Sequence, residues 1–333
     1  MTTLWAATSQ GIVAFHHQDG GWSESSRAIP GKNVTCLAAQ GATLIAGTRL
    51  GMMRSDDGGA TWEEADRGLT VMHLRWIEFH PEVRGLALAG TEPAAIFRTE
   101  DAGRTWRECP EVVPLRQAGG WFLPYSPESG CIRGLAFHGR RAYAAAEVGG
   151  VLRSDDAGQT WRLVEGSQGK AEFERPPARF IHPDVHSITT HPSSADRVFA
   201  PTGDGFYVSQ DGGKSWDLRY DAYCRSVWVD PADPEHMLLG PADDVDHNGR
   251  IEVTHDGGKS WQPASEGLRV PWRRHMVERF LQVEQELFAV LSNGRVLASP
   301  TEPIVWTPAL TEQKSVRALA YHDRQGVPPD LLA

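Results

Sequence analysis

Arginine recurs at one position of a repeated strand pattern. When seven short apolar segments are aligned on a shared apolar residue, that column contains Leu37, Ile77, Leu135, Ile188, Val227, Leu281 and Leu319. Two residues earlier, the column contains Thr35, Arg75, Arg133, His186, Arg225, Arg279 and Arg317. Arginine accounts for 28 of the 333 residues, so seven random positions would hold fewer than one. The repetition therefore indicates a shared role for these side chains.

Guanidinium groups suit the recognition of oxyanions, because their planar fork donates two parallel hydrogen bonds to a carboxylate, sulfate or phosphate. Several converging guanidinium groups also repel one another, so negative charge is needed nearby. Acids that could supply it are Glu92, Glu147, Asp204, Asp243, Asp244 and Asp246. Two interpretations stay open: the acids neutralise the arginines within a structural network, or the group binds a small anion. The predicted ligand-binding residues are Arg75, Arg133, His186, Arg225, Arg279, Arg317, Glu147 and Asp204.

Four histidines near the same strand ends form a second candidate group, a metal site: His182, His186, His247 and His275. Imidazoles from neighbouring repeats, with Glu147 or Asp204 completing the ligand set, would suit a divalent metal that polarises a substrate carboxylate. That arrangement is typical of lyase or hydrolase chemistry. The alternative is that His182 and Pro183 form a turn and that the remaining histidines are solvated.

The elements that must position these residues are marked by an eight-residue string, which occurs five times: SDDGGATW from Ser55, TEDAGRTW from Thr99, SDDAGQTW from Ser154, SQDGGKSW from Ser209 and THDGGKSW from Thr254. Two weaker copies end at Trp22 and Trp306. The Asp accepts hydrogen bonds from turn amides, the Gly supplies a positive φ, and the Trp anchors the next strand. The string resembles the Asp-box, or BNR repeat, of sialidases, sortilin-type receptors and photosystem II assembly factors. In those families these turns lie far from the active site, so the box carboxylates are predicted to be structural.

Seven tryptophan markers predict an all-β, seven-bladed β-propeller. The first segments, LWAAT and GIVAF, resemble the second and third strands of a blade, whereas the last, SVRALAYH, resembles an inner strand. The C-terminal strand should therefore complete the first blade and remove the free sheet edges. Residues 1–333 are predicted as one propeller domain, with insertions at 111–129 and 165–185 over the channel end where the arginine column lies.

Composition narrows the partners and the compartment. The formal net charge is -10 and no run of Lys or Arg stands out, so nucleic acid is not an expected partner. The sequence shows neither a leader-like segment nor an apolar stretch of about 20 residues, which predicts a cytoplasmic protein without a membrane contact. Cys36, Cys109, Cys131 and Cys224 lie far apart without a CxxC pair, which favours reduced, buried thiols.

Three functions follow as hypotheses. The main one is that the arginine-lined channel binds a small anionic molecule; whether it also transforms that molecule, as a metal-assisted lyase or hydrolase, stays open. The alternative is a protein-interaction scaffold, as the resemblance to assembly factors implies. The second alternative is a sialidase-like glycoside hydrolase. Against it, the Arg-Ile-Pro motif of sialidases is interrupted here as Arg27-Ala28-Ile29-Pro30, and their catalytic domain has six blades.

Overall fold

Seven four-stranded antiparallel sheets lie in a ring around a central channel. This architecture comes from a computed structural model that describes residues 2–18, 20–170 and 175–322. Almost all regular structure in those residues is β, with a single helix. The predicted seven-bladed propeller is confirmed.

The first three blades share one strand order, from the channel outwards. In the first blade the three outer strands are β1 (Thr3–Thr8), β2 (Gly11–Gln18) and β3 (Gly21–Ala28). The second contains β4 (Val34–Gln40), β5 (Thr43–Thr48), β6 (Gly51–Ser55) and β7 (Glu63–Glu64). The third contains β8 (Leu74–Phe79), β9 (Ala87–Thr91), β10 (Ile96–Thr99) and β11 (Arg107–Glu108), and helix α1 (Val112–Gly119) follows it.

The remaining blades repeat this order. The fourth contains β12 (Cys131–His138), β13 (Arg141–Glu147), β14 (Gly150–Ser154) and β15 (Arg162–Leu163). The fifth contains β16 (Thr189–His191), β17 (Ser194–Pro201), β18 (Phe206–Ser209) and β19 (Asp217–Tyr220). The sixth contains β20 (Tyr223–Val229), β21 (Met237–Ala242), β22 (Glu252–Thr254) and β23 (Gln262–Pro263). The seventh contains β24 (Val277–Val283), β25 (Glu286–Leu291), β26 (Val296–Pro300) and β27 (Thr307–Ala309), and β28 (Val316–His322) is the last strand.

The ring closes through the two ends of the described chain. Strand β28 pairs antiparallel with β1, with Leu319 opposite Ala6 and Ala320 opposite Trp5. It thereby supplies the inner strand of the first blade, in the order β28-β1-β2-β3. The predicted closure by the C-terminal strand is confirmed, and it leaves the first blade without an unpaired inner edge.

The Asp-boxes form the turns between the third and fourth strands of their blades. In the second blade, Asp57 accepts hydrogen bonds from the Ser55 hydroxyl (2.8 Å) and from the Thr61 amide (2.9 Å) and hydroxyl (2.6 Å). Ser55 in turn accepts from the amide of Gly59, whose φ is 85°. The same serine or threonine, Asp and glycine contacts recur around Asp101, Asp156, Asp211 and Asp256. The boxes are therefore satisfied locally, as a structural turn requires.

The hydrophobic core lies between neighbouring blades. Ile45 and Met52 of the second blade pack with Leu74, Ala89 and Phe97 of the third in one buried cluster. Each sheet thus presents an apolar face to the blade on either side of it. No helix of the described residues is long and apolar enough to cross a membrane, and all four cysteines are buried free thiols.

The two insertions contact each other. Helix α1 lies in the first insertion and buries Val112 in the cluster between the third and fourth blades. Trp121, in the same insertion, is buried and donates its indole N–H to the carbonyl of Gly169 in the second (2.8 Å).

We call the face that carries the interblade connections and the loops between second and third strands the mouth face. The opposite face, with the Asp-boxes, is the turn face.

Candidate functional site

A bulge in several of the inner strands turns one residue towards the mouth of the channel. The pairing of inner and second strands skips a residue at Thr35, Arg75, Arg133 and Arg317. A bulge leaves its extra residue outside the ladder and re-aims its side chain. This explains why a polar column can exist in strands whose neighbouring positions are buried and apolar.

The seventh blade departs from the sequence alignment by one residue. Its skipped residue is Glu278, because Val277 pairs with Leu291 and Arg279 with Val290. Phe280, opposite Ala289, is therefore the counterpart of Ile77, opposite Ala89. The prediction that Arg279 belongs to the column and Leu281 to the apolar one is wrong, because adjacent Phe280 and Leu281 both satisfy an apolar position. Arg279 instead occupies the position of Trp76.

The arginines nevertheless converge. A cavity of about 270 Å³ at the mouth is lined by the five arginines predicted for the column, Arg75, Arg133, Arg225, Arg279 and Arg317, and by Arg49. Thr35, His73, Asp246 and Glu278 also line this cavity. His186 lies below it and lines the lower part of the channel. We call this cavity the arginine mouth.

Three of the arginines are held by carboxylates, of which those of Glu92 and Glu147 are buried. Arg75 donates to Glu92 (2.6 Å) and Arg133 donates to Glu147 (3.1 Å). Glu278 bridges two blades, because its two oxygens accept from Arg133 (2.5 Å) and Arg225 (2.8 Å). Burial raises the pKa of the Glu278 carboxyl, but the charges of Arg133 and Arg225 lower it by more. The resulting pKa lies well below the usual range. The Glu278 carboxylate is therefore ionised at neutral pH.

Sequence reasoning missed Glu278, although the sequence contains a signal for it. The residue that precedes the arginine column is Val34, Leu74, Ile132, Val185, Cys224, Glu278 and Val316 in the seven aligned strands. Six of these are apolar, so a lone Glu breaks the pattern. Anchoring the seventh strand on Val277 instead of Leu281 would have placed Glu278 in the column.

The other three arginines leave the mouth positively charged. No carboxylate oxygen of the described residues lies within 4.0 Å of Arg49, Arg279 or Arg317. Burial lowers the pKa of Arg317, and the charges of Arg49 and Arg75 lower it further. Six guanidinium groups thus face four paired carboxylates, those of Glu92, Glu147, Asp246 and Glu278, an excess of two positive charges.

Arg279 crosses the channel. Its guanidinium lies over the indole of Trp76, 4.1 Å from the ring centroid, and one nitrogen is 3.5 Å from the carbonyl oxygen of Arg75. Burial lowers the pKa of Arg279 to about 10. A cation on an aromatic face gains electrostatic stabilisation without a counter-ion, which accounts for an arginine in this position.

Two predicted acids have different surroundings. Glu147 is buried beside the mouth, where it also accepts from the Tyr125 hydroxyl (2.8 Å) and the Cys131 thiol (3.0 Å). Asp204 is not part of the mouth, because its carboxylate pairs with Arg175 (3.6 Å) and accepts from the Tyr207 hydroxyl (3.2 Å). Asp204 therefore lies apart from the arginines that line the mouth.

The four histidines predicted as metal ligands are not brought together. The only group of the described residues whose ligand atoms approach within 4.8 Å of one another is Glu147, Asp184 and His186. His275 stacks on Trp272 (5.2 Å between centroids) in the connection that leads to the seventh blade. The backbone of His247 forms hydrogen bonds with the backbone of Asp243 and Asp244 within its own loop. His182 is buried two residues before Asp184, outside that group.

The group around His186 has the chemistry of a metal site with a competing cation. His186 Nδ1 lies 2.8 Å from the carbonyl of Cys224, which can only accept, so Nδ1 carries a proton and Nε2 faces Asp184 at 3.2 Å. One imidazole and two carboxylates suit a divalent transition metal. Arg133 and Arg75 lie 3.1 Å and 4.0 Å from Glu147 oxygens, however, and would repel such an ion.

The mouth face also carries most of the exposed apolar side chains. Nine large apolar residues of the described chain are exposed, and six of them lie in loops of this face: Leu50, Met72, Phe122, Tyr125, Val245 and Val270. We call these six the apolar rim. They lie on the same face as the arginine mouth.

Comparison with known proteins supports the repeat and the fold. Residues 207–218 match the BNR/Asp-box repeat model. A photosystem II assembly protein, Ycf48 of Synechococcus sp., is 23% identical over 290 residues, which cover 76% of this chain and 82% of that protein. An oligoxyloglucan-reducing end-specific xyloglucanase of Emericella nidulans is 27% identical over 207 residues, 52% of this chain but 25% of the enzyme. The solved structure "YCF48 bound to D1 peptide" has the same fold, with a TM-score of 0.61 at 16% identity, over 90% of this chain and 88% of that one.

Proposed function

We propose that this seven-bladed propeller of Asp-box repeats is a protein-binding scaffold that holds an acidic segment of its partner at the arginine mouth. Two properties support it: an excess of two positive charges at the arginine mouth, and the apolar rim on the same face. The combination carries the proposal, since an interface needs apolar area for affinity and charge for orientation.

The charge of the mouth is opposite to that of the whole chain. The formal net charge of the chain is -10, so an acidic segment is repelled by the protein as a whole and attracted locally by the arginine mouth. Arg49 and Arg317 are the groups available to it, because no described carboxylate neutralises them. The relative named as an assembly protein, which aligns with most of this chain, supports a scaffold over a site for a small free anion.

A glycoside hydrolase is the second candidate, on the similarity to a xyloglucanase. Glycoside hydrolysis uses two carboxyl groups across the scissile bond, and one must stay protonated to act as the acid. At the mouth, the pKa values of Glu147 and Glu278 both lie below their usual range, because arginines outweigh the effect of burial. The mouth therefore offers ionised carboxylates, and the geometry favours the scaffold.

The test measures binding of a fluorescein-labelled twelve-residue peptide of alternating acidic and apolar residues. We expect binding that weakens as salt rises, because exposed charges are screened. The double variant Arg49→Ala, Arg317→Ala should bind about tenfold more weakly, equivalent to about 1.4 kcal/mol. Neither change removes the partner of a buried carboxylate, so the fold should be retained.

Two controls sharpen the test. Arg84→Ala removes an exposed arginine on the turn face and should leave binding unchanged. A peptide with Asn and Gln in place of its acids should bind at least about tenfold more weakly than the acidic one. Equal binding of both peptides, or full binding by the double variant, would refute the proposal. A cytoplasmic location and a bound divalent metal stay predictions. The group that could hold such an ion is Glu147, Asp184 and His186, in place of the four histidines expected from the sequence.

A further inference from the structure

Below the arginine mouth the channel widens into a second cavity of about 710 Å³, which we call the lower chamber. One apolar residue from each blade lines it: Leu37, Ile77, Leu135, Ile188, Val227, Phe280 and Leu319. The chamber extends towards the turn face, where Pro81, Glu82 and Pro192 line its rim. Its volume lies within the range of about 300–1,000 Å³ that is usual for small-molecule sites.

The lower chamber is separated from the mouth by a layer of side chains. Arg133, Glu278 and Arg279 line both cavities, and the ion pair of Arg133 with Glu278 joins the fourth and seventh blades. Arg279 extends the layer to Trp76 of the third blade. A ligand of the lower chamber therefore meets different chemistry from one at the mouth.

The distinctive polar group of the lower chamber is the carboxylate of Glu78. Three acids line the chamber, of which Glu278 is paired with arginines and Glu82 is exposed at the rim. Glu78 Oε2 accepts the indole N–H of Trp76 (3.1 Å), while no described residue donates a hydrogen bond to Oε1. No cationic nitrogen of the described residues lies within 4.0 Å of this carboxylate, since the nearby Arg279 is held on the Trp76 ring.

The environment of Glu78 is costly for a negative charge. Burial raises its pKa to about 7, and the Trp76 hydrogen bond and the charge of Arg279 only partly oppose this. A cation bound beside the carboxylate would favour its ionised form. The bound cation would also neutralise the charge of the carboxylate.

Aromatic side chains complete the site. Trp76, Trp228 and Phe280 line the lower chamber, and the Trp228 indole N–H is already donated to Gln282 (3.1 Å), which fixes the ring. Aromatic faces attract ammonium groups and also pack against apolar bodies. We propose that the lower chamber binds a small organic cation, a protonated amine on an apolar or aromatic body, with its ammonium group at Glu78.

The experiment compares three probes of similar shape by calorimetric titration: 2-phenylethylamine, 2-phenylethanol and phenylacetate. The amine should bind at least about tenfold more tightly than the alcohol, and the acid should bind least. In Glu78→Gln the preference for the amine over the alcohol should fall to within about twofold, because the Gln oxygen can still accept from Trp76 but carries no charge. The matched control, Glu82→Gln at the rim, should keep the full preference.

The outcomes separate this site from the proposed function. Glu78→Gln should bind the acidic peptide as the unchanged protein does, because the Arg133–Glu278–Arg279 layer lies between the two cavities. The inference fails if the unchanged protein binds amine and alcohol equally, if none of the probes binds, or if Glu78→Gln keeps the preference. The comparison of probes on the unchanged protein does not depend on how the variant folds.

Discussion

The Asp-box turns and the arginine mouth lie on opposite faces, and they satisfy their polar groups in different ways. Every hydrogen bond to Asp57 comes from a residue within four positions of it. At the mouth, Arg133 pairs with Glu278, 145 residues away, and Arg317 pairs with no described carboxylate. A repeated polar group that is satisfied within its own turn maintains the architecture. A repeated polar group that depends on distant blades, or stays unpaired, is available for function.

The largest effect should come from removing the most distant contact. Deleting residues 316–333 takes away β28, leaves β1 with an unpaired edge and opens the ring. We expect protein that is insoluble or cleaved rapidly in limited proteolysis, although all five Asp-boxes remain in the chain. Deleting only residues 323–333, which lie outside the described residues, is the control and should leave a protease-resistant core. Equal resistance of the two truncations would show that local turns suffice.

A smaller effect should distinguish the paired from the unpaired arginines of the mouth. Arg133→Ala strips Glu147 and Glu278 of a partner in a buried site, and should lower the free energy of unfolding by about 3–5 kcal/mol. Arg317→Ala removes a charge that Arg49 and Arg75 repel, so its effect should stay within about 0.5 kcal/mol. Urea unfolding measures both. If the two variants lose the same stability, the mouth is a single structural network.

The sequence predicted most of the fold and part of the mouth, for reasons visible in particular residues. The boxes and the closing strand could be recognised because each blade repeats the same local pattern around its tryptophan. Arg75, Arg133, Arg225 and Arg317 could be placed together because they share a strand position. In the seventh blade, adjacent Phe280 and Leu281 left the register ambiguous by one residue, and only the pairing of Val277 with Leu291 resolves it.

Other parts of the site could not be reached from spacing. Asp204 shares its loop position with Glu92 and Glu147, but its carboxylate pairs with Arg175 of the second insertion and not with an arginine of the mouth. The group of Glu147, Asp184 and His186 joins two blades, so no local pattern indicates it. Glu78 becomes significant only because no cationic nitrogen of the described residues lies within 4.0 Å of its carboxylate in the cavity, and a single acid in a strand gives no such indication.

The smallest predicted effect tests the local side of the comparison through Asp57. Hydrogen bonds from Thr61, above all its hydroxyl, lower the pKa of this carboxyl to about 2, against about 3.9 in an unfolded chain. Because the folded-state pKa is the lower one, the stabilisation is complete above about pH 4 and is lost as pH falls towards about 2. Asp57→Ala should therefore lower the free energy of unfolding by about 1 kcal/mol at neutral pH, a modest cost because the turn is exposed. Urea unfolding should show the difference shrinking as the solution is acidified below about pH 4. Acidic-peptide binding at neutral pH should be equal in Asp57→Ala and in the unchanged protein, since the box lies on the turn face. A loss of peptide binding in Asp57→Ala without a loss of stability would show that the boxes take part in the function.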